Sequence, residues 1–231
     1  IETPNVIWAG GEFSHPRIPE FEGAKLCRHN STIDSWDDLE GDGLIIIGGY
    51  ESGMDAAFNL VQRGKSVAVI STGEPWLNEH SDPSESLSPY TRGRILDALN
   101  RFPKKLALQG NTEVVRVTQN EAGYCVELST GKSFCTAVAP ILATGFRSAL
   151  TPVKELFEWD GGQPIFTEED GSTTHSGLFY SGPSLVHRMS KFCFIYKFRA
   201  RFGVVGAAIA RRLELDSVPC PEEVARGFHI T

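Results

Sequence analysis

The residues best placed to do chemistry are the run Gly48-Gly49-Tyr50-Glu51-Ser52-Gly53. It follows the apolar stretch Leu44-Ile45-Ile46-Ile47 and opens a segment with helical spacing. A strand–turn–helix of this kind can cradle a pyrophosphate. The first glycine makes the tight turn, the second lets phosphates approach the backbone, and the third lets helix pack on strand. The N–H groups at the helix start then hold the anion. Gly48 and Gly53 stand at the first and third positions, but Tyr50 occupies the middle one. Its ring either crowds a pyrophosphate or turns aside and stacks on the ligand. The competing reading is that the turn only packs the helix against the sheet. After the next strand, Ser71 and Thr72 stand where an acid would bind the ribose of NAD or an arginine the 2′-phosphate of NADP. The choice between the two dinucleotides therefore stays open.

A second segment mixes charge with aromatic rings. Residues 187–202 carry Arg188, Lys191, Lys197, Arg199 and Arg201 without an acid, interleaved with Phe192, Phe194, Tyr196, Phe198 and Phe202. Its cations either face phosphates or an anionic substrate, or form the snorkelling face of a helix with an aromatic core side. A single-strand nucleic-acid platform also mixes such residues, but the net charge of −7 argues against it. Other candidates point nowhere. The histidines (15, 29, 80, 175, 187 and 229) are too scattered for a metal cluster, and no Gly-x-Ser-x-Gly elbow occurs. Cys27, Cys125, Cys135, Cys193 and Cys220 contain no C-x-x-C pair, and their scatter supports neither a zinc site nor a disulfide framework. Cys193 between two phenylalanines reads as a small buried hydrophobe. Asp55 reads as a first-turn carboxylate favoured by the helix dipole. No catalytic acid or base can be named.

The elements that must position these residues read as α/β. Asn5–Ala9 is a buried strand ending in Gly10-Gly11, and the two prolines of His15-Pro16-Arg17-Ile18-Pro19 make a rigid connector. An acidic stretch from Asp34 to Asp42 forms a solvated short helix and turn. Leu44–Ile47, a helix from Ser52 to Arg63 and Ser66–Ile70 make a βαβ unit. Ser71–Pro89 is a long exposed loop. A helix over Tyr90–Arg101 and a strand at Leu106–Leu108 follow, then a meander at Thr112–Thr118, Tyr124–Ser129 and Ser133–Val138. Ile141–Ala143 leads into Thr144-Gly145, and a polar, Gly-rich stretch precedes a strand at Gly177–Pro183. A last helix lies within Lys197–Leu213.

Four segments taken in order resemble a known superfamily. They are Val6-Ile7-Trp8-Ala9-Gly10-Gly11-Glu12-Phe13, Ile45–Ala57, Leu142-Ala143-Thr144-Gly145-Phe146 and Gly177-Leu178-Phe179-Tyr180-Ser181-Gly182-Pro183. The chain resembles the FAD- and NAD(P)-dependent oxidoreductases with two dinucleotide-binding domains, which include flavin-containing monooxygenases and thioredoxin reductase-like flavoproteins. The resemblance implies a Rossmann-like three-layer nicotinamide domain with a β-meander at residues 31–143, inserted into an FAD-type domain. Residues 1–30 would be a remnant of that outer domain and residues 144–231 its C-terminal part. It implies NAD(P)H over Gly48–Gly53, a flavin contact at Gly182-Pro183, and cofactor binding also at Ser71, Thr72, Thr144, Gly145 and Arg147. Pro183 stands where thioredoxin reductase-like members carry an aspartate that contacts the flavin's ribityl–phosphate region. The family's FAD-binding βαβ unit lies upstream of the first crossing strand, so here it is expected to be missing, outside the given residues or supplied by a second chain. Without a C-x-x-C, the resemblance implies oxygen-using or simple reductase chemistry, monooxygenase-like, on an unnamed small molecule. The alternative is a non-catalytic remnant or subunit that acts as a binding or regulatory module.

The 231 residues are 41% hydrophobic and 22% charged, the composition of an ordinary globular chain. No apolar run reaches the roughly 18 residues a membrane span needs, and the acidic balance disfavours DNA. The scattered cysteines and the lack of a secretory signal point to a cytoplasmic setting. The divided outer domain points to a homo- or hetero-oligomer.

Overall fold

The structure, a computed structural model, describes residues 2–80, 86–187 and 190–215. Its elements in chain order are β1 (Val6–Trp8), β2 (Arg28–His29), β3 (Leu44–Ile47), α1 (Glu51–Gln62), β4 (Val67–Ile70), α2 (Pro89–Arg101) and β5 (Leu106–Gln109). They continue with β6 (Val114–Asn120), β7 (Gly123–Leu128), β8 (Ser133–Thr136), β9 (Ile141–Leu142), β10 (Glu158–Asp160), β11 (Gln163–Ile165) and β12 (Leu178–Tyr180). The last are β13 (Val186–His187), β14 (Ser190–Lys191), α3 (Ile195–Phe198) and α4 (Phe202–Arg212). Contacts divide the chain into two compact units, one of residues 16–146 and one of residues up to 15 together with those from 147 on.

The unit of residues 16–146 is built on a five-stranded sheet in the order β2-β9-β3-β4-β5, with every neighbouring pair parallel. All four side chains of β3 are buried, and the reason is alternation between two covered faces. Leu44 and Ile46 pack with Met54, Leu60 and Ile95 on the helical side. Ile45 and Ile47 pack with Val117, Val126 and Leu128 of the meander. Helices, sheet and meander are thus three layers, as expected of a Rossmann-like domain with a β-meander. The segment from Ser71 to Pro89 differs from the exposed loop expected. Trp76, Ser86 and Leu87 are buried, and Trp76 and Leu87 join the core on the α1 side; residues 81–85 of this segment lie outside the described residues. Asp55 lies in the second turn of α1 rather than its first. Its carboxylate pairs with Arg94 of α2 at 2.6 Å.

The meander pairs β6-β7-β8 antiparallel, and its register overturns the reading of the cysteines. Cys125 and Cys135 face each other across β7 and β8, with Cα atoms 4.1 Å apart, and form a disulfide. Ten residues separate them in sequence, and only the hairpin register brings them opposite.

In the other unit, β1 runs parallel to β12. The expectation of a buried strand fails here, since Val6 is 44% and Ile7 50% exposed. Among the described residues β1 pairs with β12 alone, so its outer side stays uncovered. The Gly-rich stretch holds a hairpin that the composition hid. β10 and β11 join through Gly161 and Gly162, both at positive φ, as the tight hairpin turns require. A core of Leu150, Phe157, Phe166, Tyr180, Leu185 and Phe192 fills the unit.

Its C-terminal part corrects the reading of the basic–aromatic segment. The chain forms the hairpin β13–β14 before α3 and α4, so no helix directly follows the glycine turn at Gly182. Arg201 does not face outward with free charge. It is buried and bonds the fully buried carboxylate of Asp170 at 2.6 Å, while its guanidinium also donates to the Glu168 carbonyl. His187 closes on the same carboxylate through Nε2. Arg188, Cys220 and His229 lie outside the described residues.

Candidate functional site

Four chain segments leave the carboxyl ends of parallel strands in the unit of residues 16–146 and enclose one cavity. Gly48–Ser52 follow β3, Ser71–Gly73 follow β4, Thr112–Val114 follow β5, and Ala143–Gly145 follow β9. The cavity measures about 740 Å³. From β3 the chain crosses to β4 on one side and returns through β9 on the other, so the cavity sits at the sheet's switch point. Ligands of open α/β sheets bind in such crevices.

The glycine turn is shaped by packing beneath the cavity. Gly48 has φ +116 and donates its N–H to the Ile70 carbonyl at 2.8 Å. A Cβ on Gly53 would fall 1.8 Å from the Gly48 carbonyl oxygen, and one on Gly49 would fall 2.6 Å from Ser71 Cβ. Glycine at these positions lets α1 begin directly against the strand ends. The first intrahelical bond runs from Met54 N–H to the Tyr50 carbonyl, and no side chain caps the helix. The N–H groups of Glu51, Ser52 and Gly53 therefore have no carbonyl within the helix to bond, and Glu51 and Ser52 line the cavity.

Two residues of the lining, Tyr50 and Glu51, have their polar ends tied to other partners. The Tyr50 hydroxyl donates to the Ser86 carbonyl at 2.5 Å, and its ring packs against the helix-side core. The hydroxyl is thereby tied to the segment before α2, while the residue still lines the cavity. The Glu51 carboxylate accepts from the Ser88 N–H, and from the hydroxyls of Ser88 at 3.2 Å and Thr91 at 2.6 Å. It caps the start of α2, leaving the dipole end of α1 open to a ligand.

The opposite wall is fastened to the connector. Arg17 donates its N–H to the Gly145 carbonyl at 3.0 Å, and its own carbonyl accepts from the Thr144 hydroxyl at 2.6 Å. The buried His29 bonds the same Gly145 carbonyl through Nε2 at 3.0 Å, while Nδ1 accepts from the Ser31 N–H. These partners set a neutral ring, and burial holds its pKa below the ordinary histidine range, outweighing the opposite pull of the Gly145 bond.

The structure brings Gly48, Gly49, Tyr50, Glu51, Ser52, Ser71, Thr72, Thr144 and Gly145 to this cavity, with Gly53 packed under it. Arg147, Gly182 and Pro183 belong to the other unit. There Arg147 is exposed, and its N–H bonds the His15 carbonyl. A Cβ on Gly182 would strike the Tyr180 hydroxyl at 2.5 Å. In the same unit burial raises the pKa of Glu12, and it also raises that of Tyr180, whose hydroxyl accepts from the Ser184 N–H. Sequence reasoning missed Arg17, Phe21, Pro75, Thr112 and Glu113 as cavity residues. Arg17 had one signal, a cation within the rigid connector His15–Pro19. The others had none.

A family model described as pyridine nucleotide-disulphide oxidoreductase matches residues 1–182. Bacilliredoxin reductase Bdr of Bacillus subtilis (strain 168) is 28% identical over 217 residues, covering 91% of this chain and 63% of the relative. The solved bacillithiol disulfide reductase Bdr of Bacillus cereus superposes with a TM-score of 0.69 at 21% identity, over 90% of this chain and 62% of that one. L-lysine 6-monooxygenase of Pseudomonas syringae superposes with a TM-score of 0.67 at 16% identity, over 90% and 64%. The chain thus spans somewhat under two thirds of the length of these proteins. It belongs to the pyridine nucleotide-disulphide oxidoreductase family.

Proposed function

We propose that this member of the pyridine nucleotide-disulphide oxidoreductase family is the dinucleotide-binding part of a flavin-dependent oxidoreductase. NAD(P)H occupies the cavity over α1, with its pyrophosphate on the N–H groups of Glu51, Ser52 and Gly53. The observation that carries this reading is the uncapped helix start opening into a cavity at the sheet's switch point, with the polar ends of Tyr50 and Glu51 tied to other partners. Ser71 and Thr72 supply hydroxyls at the end of β4, where a ribose is held in such folds. Arg17 adds a cation on the facing wall. The dinucleotide supplies a hydride. The protein's residues bind and orient it through backbone donors, and the bonds of Glu51 to Ser88 and Thr91 hold its carboxylate off the helix start.

FAD belongs to the same proposal through the family, but the described residues of the outer unit do not form a cradle for it. Its glycine turn at Gly182 leads into a hairpin rather than a helix, and Val6 and Ile7 of β1 stand exposed. Further chain, from this polypeptide or a partner, would cover β1 and complete that unit, which makes an oligomer one route to activity. The electron acceptor is a second question. The absence of a C-x-x-C pair from these 231 residues favours oxygen or a small molecule. The relative named as a bacilliredoxin reductase supports an external disulfide instead.

Calorimetric titration with NADH, NADPH and ADP-ribose tests the dinucleotide reading. Saturable binding of at least one of them, with ADP-ribose retaining most of the affinity, is expected. No saturable binding of any of the three would refute it. Adding FAD and following absorbance in the flavin band tests the second part. A protein that takes up no FAD would confine the flavin reading to a larger assembly. With FAD bound, NAD(P)H oxidation by air against that by an added protein disulfide separates the two acceptors.

A further inference from the structure

The charges around the dinucleotide cavity are divided between its two sides. On the β9 side stands Arg17, fastened through its backbone to Thr144 and Gly145 and the one cation among the described residues of the lining. On the other side of β3, past the ends of β4 and β5, the lining offers hydroxyls and a carboxylate. Ser71 is 8% exposed and packs against Gly49, and its hydroxyl bonds no group among the described residues. Its carbonyl accepts from the Thr112 N–H at 3.0 Å, which sets Thr112 and Glu113 beside it. The Glu113 N–H and carbonyl both bond Ser129 of the meander, while its exposed carboxylate bonds no group among the described residues. Glu74 adds a second carboxylate between the ends of β4 and β5. A Cβ on Gly110 would fall 2.1 Å from the Glu74 Cγ, and Asn111 donates to the carboxylate at 2.7 Å. Residues 71–91 contain no lysine or arginine. The next cation along the chain, Arg92, is bonded to Glu79 and to the Trp76 carbonyl.

We propose that this cavity selects NADH over NADPH, with Glu113 and Glu74 as the residues that set the choice. On the dinucleotide reading, which this selection rests on, the adenosine ribose lies at the end of β4. The two coenzymes differ only in a 2′-phosphate on that ribose, which carries about −1.5 to −2 charge at pH 7. A 2′-hydroxyl suits a wall of serine and threonine. A 2′-phosphate calls for a cation, the role an arginine plays in other sheets of this kind, and here it meets two carboxylates instead. Arg17 does not supply the missing charge. It is fastened at the end of β9, two strand spacings from β4, or roughly 9–10 Å across the sheet. Its charge acts on the phosphates that both coenzymes share. The acid that reads the ribose is thus absent from the end of β4 itself, and its electrostatic part passes to the neighbouring segments after β4 and β5.

Calorimetric titration of the full chain with ADP-ribose and with 2′-phospho-ADP-ribose tests the selection without a flavin or turnover. The 2′-phosphorylated compound is expected to bind about tenfold more weakly. Glu113→Gln is expected to narrow that ratio to about threefold, and Glu113→Gln with Glu74→Gln to within about twofold. High salt narrows it in the parent protein as well. Arg17→Gln is expected to weaken both compounds alike. Equal affinities in the parent protein, or tighter binding of the 2′-phosphorylated compound, would overturn the selection and leave the dinucleotide reading standing. An unchanged ratio in the double variant would also overturn it, because charge would then not set the choice. So would a loss in Arg17→Gln confined to the 2′-phosphorylated compound, since the extra phosphate would then lie on Arg17. Saturable binding of neither compound would instead refute the dinucleotide reading, and the selection with it.

Discussion

Ser52→Asp separates the two roles that the start of α1 is assigned. Ser52 lies in the first turn and lines the cavity. An aspartate there complements the helix dipole, so the folded protein gains about 0.3–1 kcal/mol. The same carboxylate stands roughly 5 Å from a phosphate held on the helix N–H groups. Two unit charges at that distance repel by about 3 kcal/mol at an effective dielectric of about 20. Salt and solvent in an open cavity reduce this to about 1.4–2 kcal/mol, a roughly tenfold to thirtyfold loss of affinity. Calorimetry with ADP-ribose and with uncharged adenosine, run beside thermal melts, reads both effects. ADP-ribose affinity is expected to fall while adenosine affinity and melting temperature hold or rise. An ADP-ribose affinity within about twofold of the parent protein, with the melt unchanged, would refute the placement of phosphates on α1. Parallel losses for both ligands would instead indicate a blocked cavity, and the electrostatic reasoning would fall.

Three further outcomes follow from the geometry. Tyr50→Phe removes the 2.5 Å bond to the Ser86 carbonyl and is expected to cost about 1 kcal/mol, with faster proteolysis in the segment before α2. Unchanged cleavage would show that Tyr50 does not hold that segment. Arg201→Met leaves the fully buried Asp170 carboxylate with His187 alone, so chemical denaturation is expected to show a loss of about 3–5 kcal/mol. A loss comparable to an exposed ion pair would mean the carboxylate finds water. His29 has a folded pKa lowered by burial, below the ordinary 6.5, so the unfolded chain binds its proton first as pH falls. Its contribution is fully present above about pH 6.5 and is lost progressively as pH falls below that value. His29→Gln, which keeps a donor for the Gly145 carbonyl but does not titrate, is expected to flatten the stability curve between pH 7 and pH 5. An identical slope in the two proteins would assign that pH dependence elsewhere.

The middle unit was legible because its signals are local. A run such as Leu44–Ile47 is buried on both faces whatever surrounds it, and Gly48 and Gly53 mark the one turn where α1 meets the strand ends. The family resemblance rested on the same short runs, and the match to residues 1–182 bears it out. Side-chain direction was not legible in this way. Tyr50 could crowd the phosphates or turn aside, and a carbonyl 36 residues later ties its hydroxyl to the segment before α2 while the residue still lines the cavity. Arg201 read as one of several cations facing an anion or snorkelling to solvent until Asp170, 31 residues away, took its charge into the core. Cys125 and Cys135 read as scattered until the hairpin register set them opposite. Val6 and Ile7 read as buried because they are apolar, yet burial needs a covering layer and among the described residues β1 has only β12 beside it.

Periodicity and glycine position, which act within a few residues, determined the βαβ unit, the meander and the place of the candidate site. Partners distant in sequence decided which polar groups face the cavity, which charges are neutralised and which cysteines are joined. A charge or thiol takes its chemistry from what lies within a few ångströms of it. That neighbourhood exists only once the chain is folded.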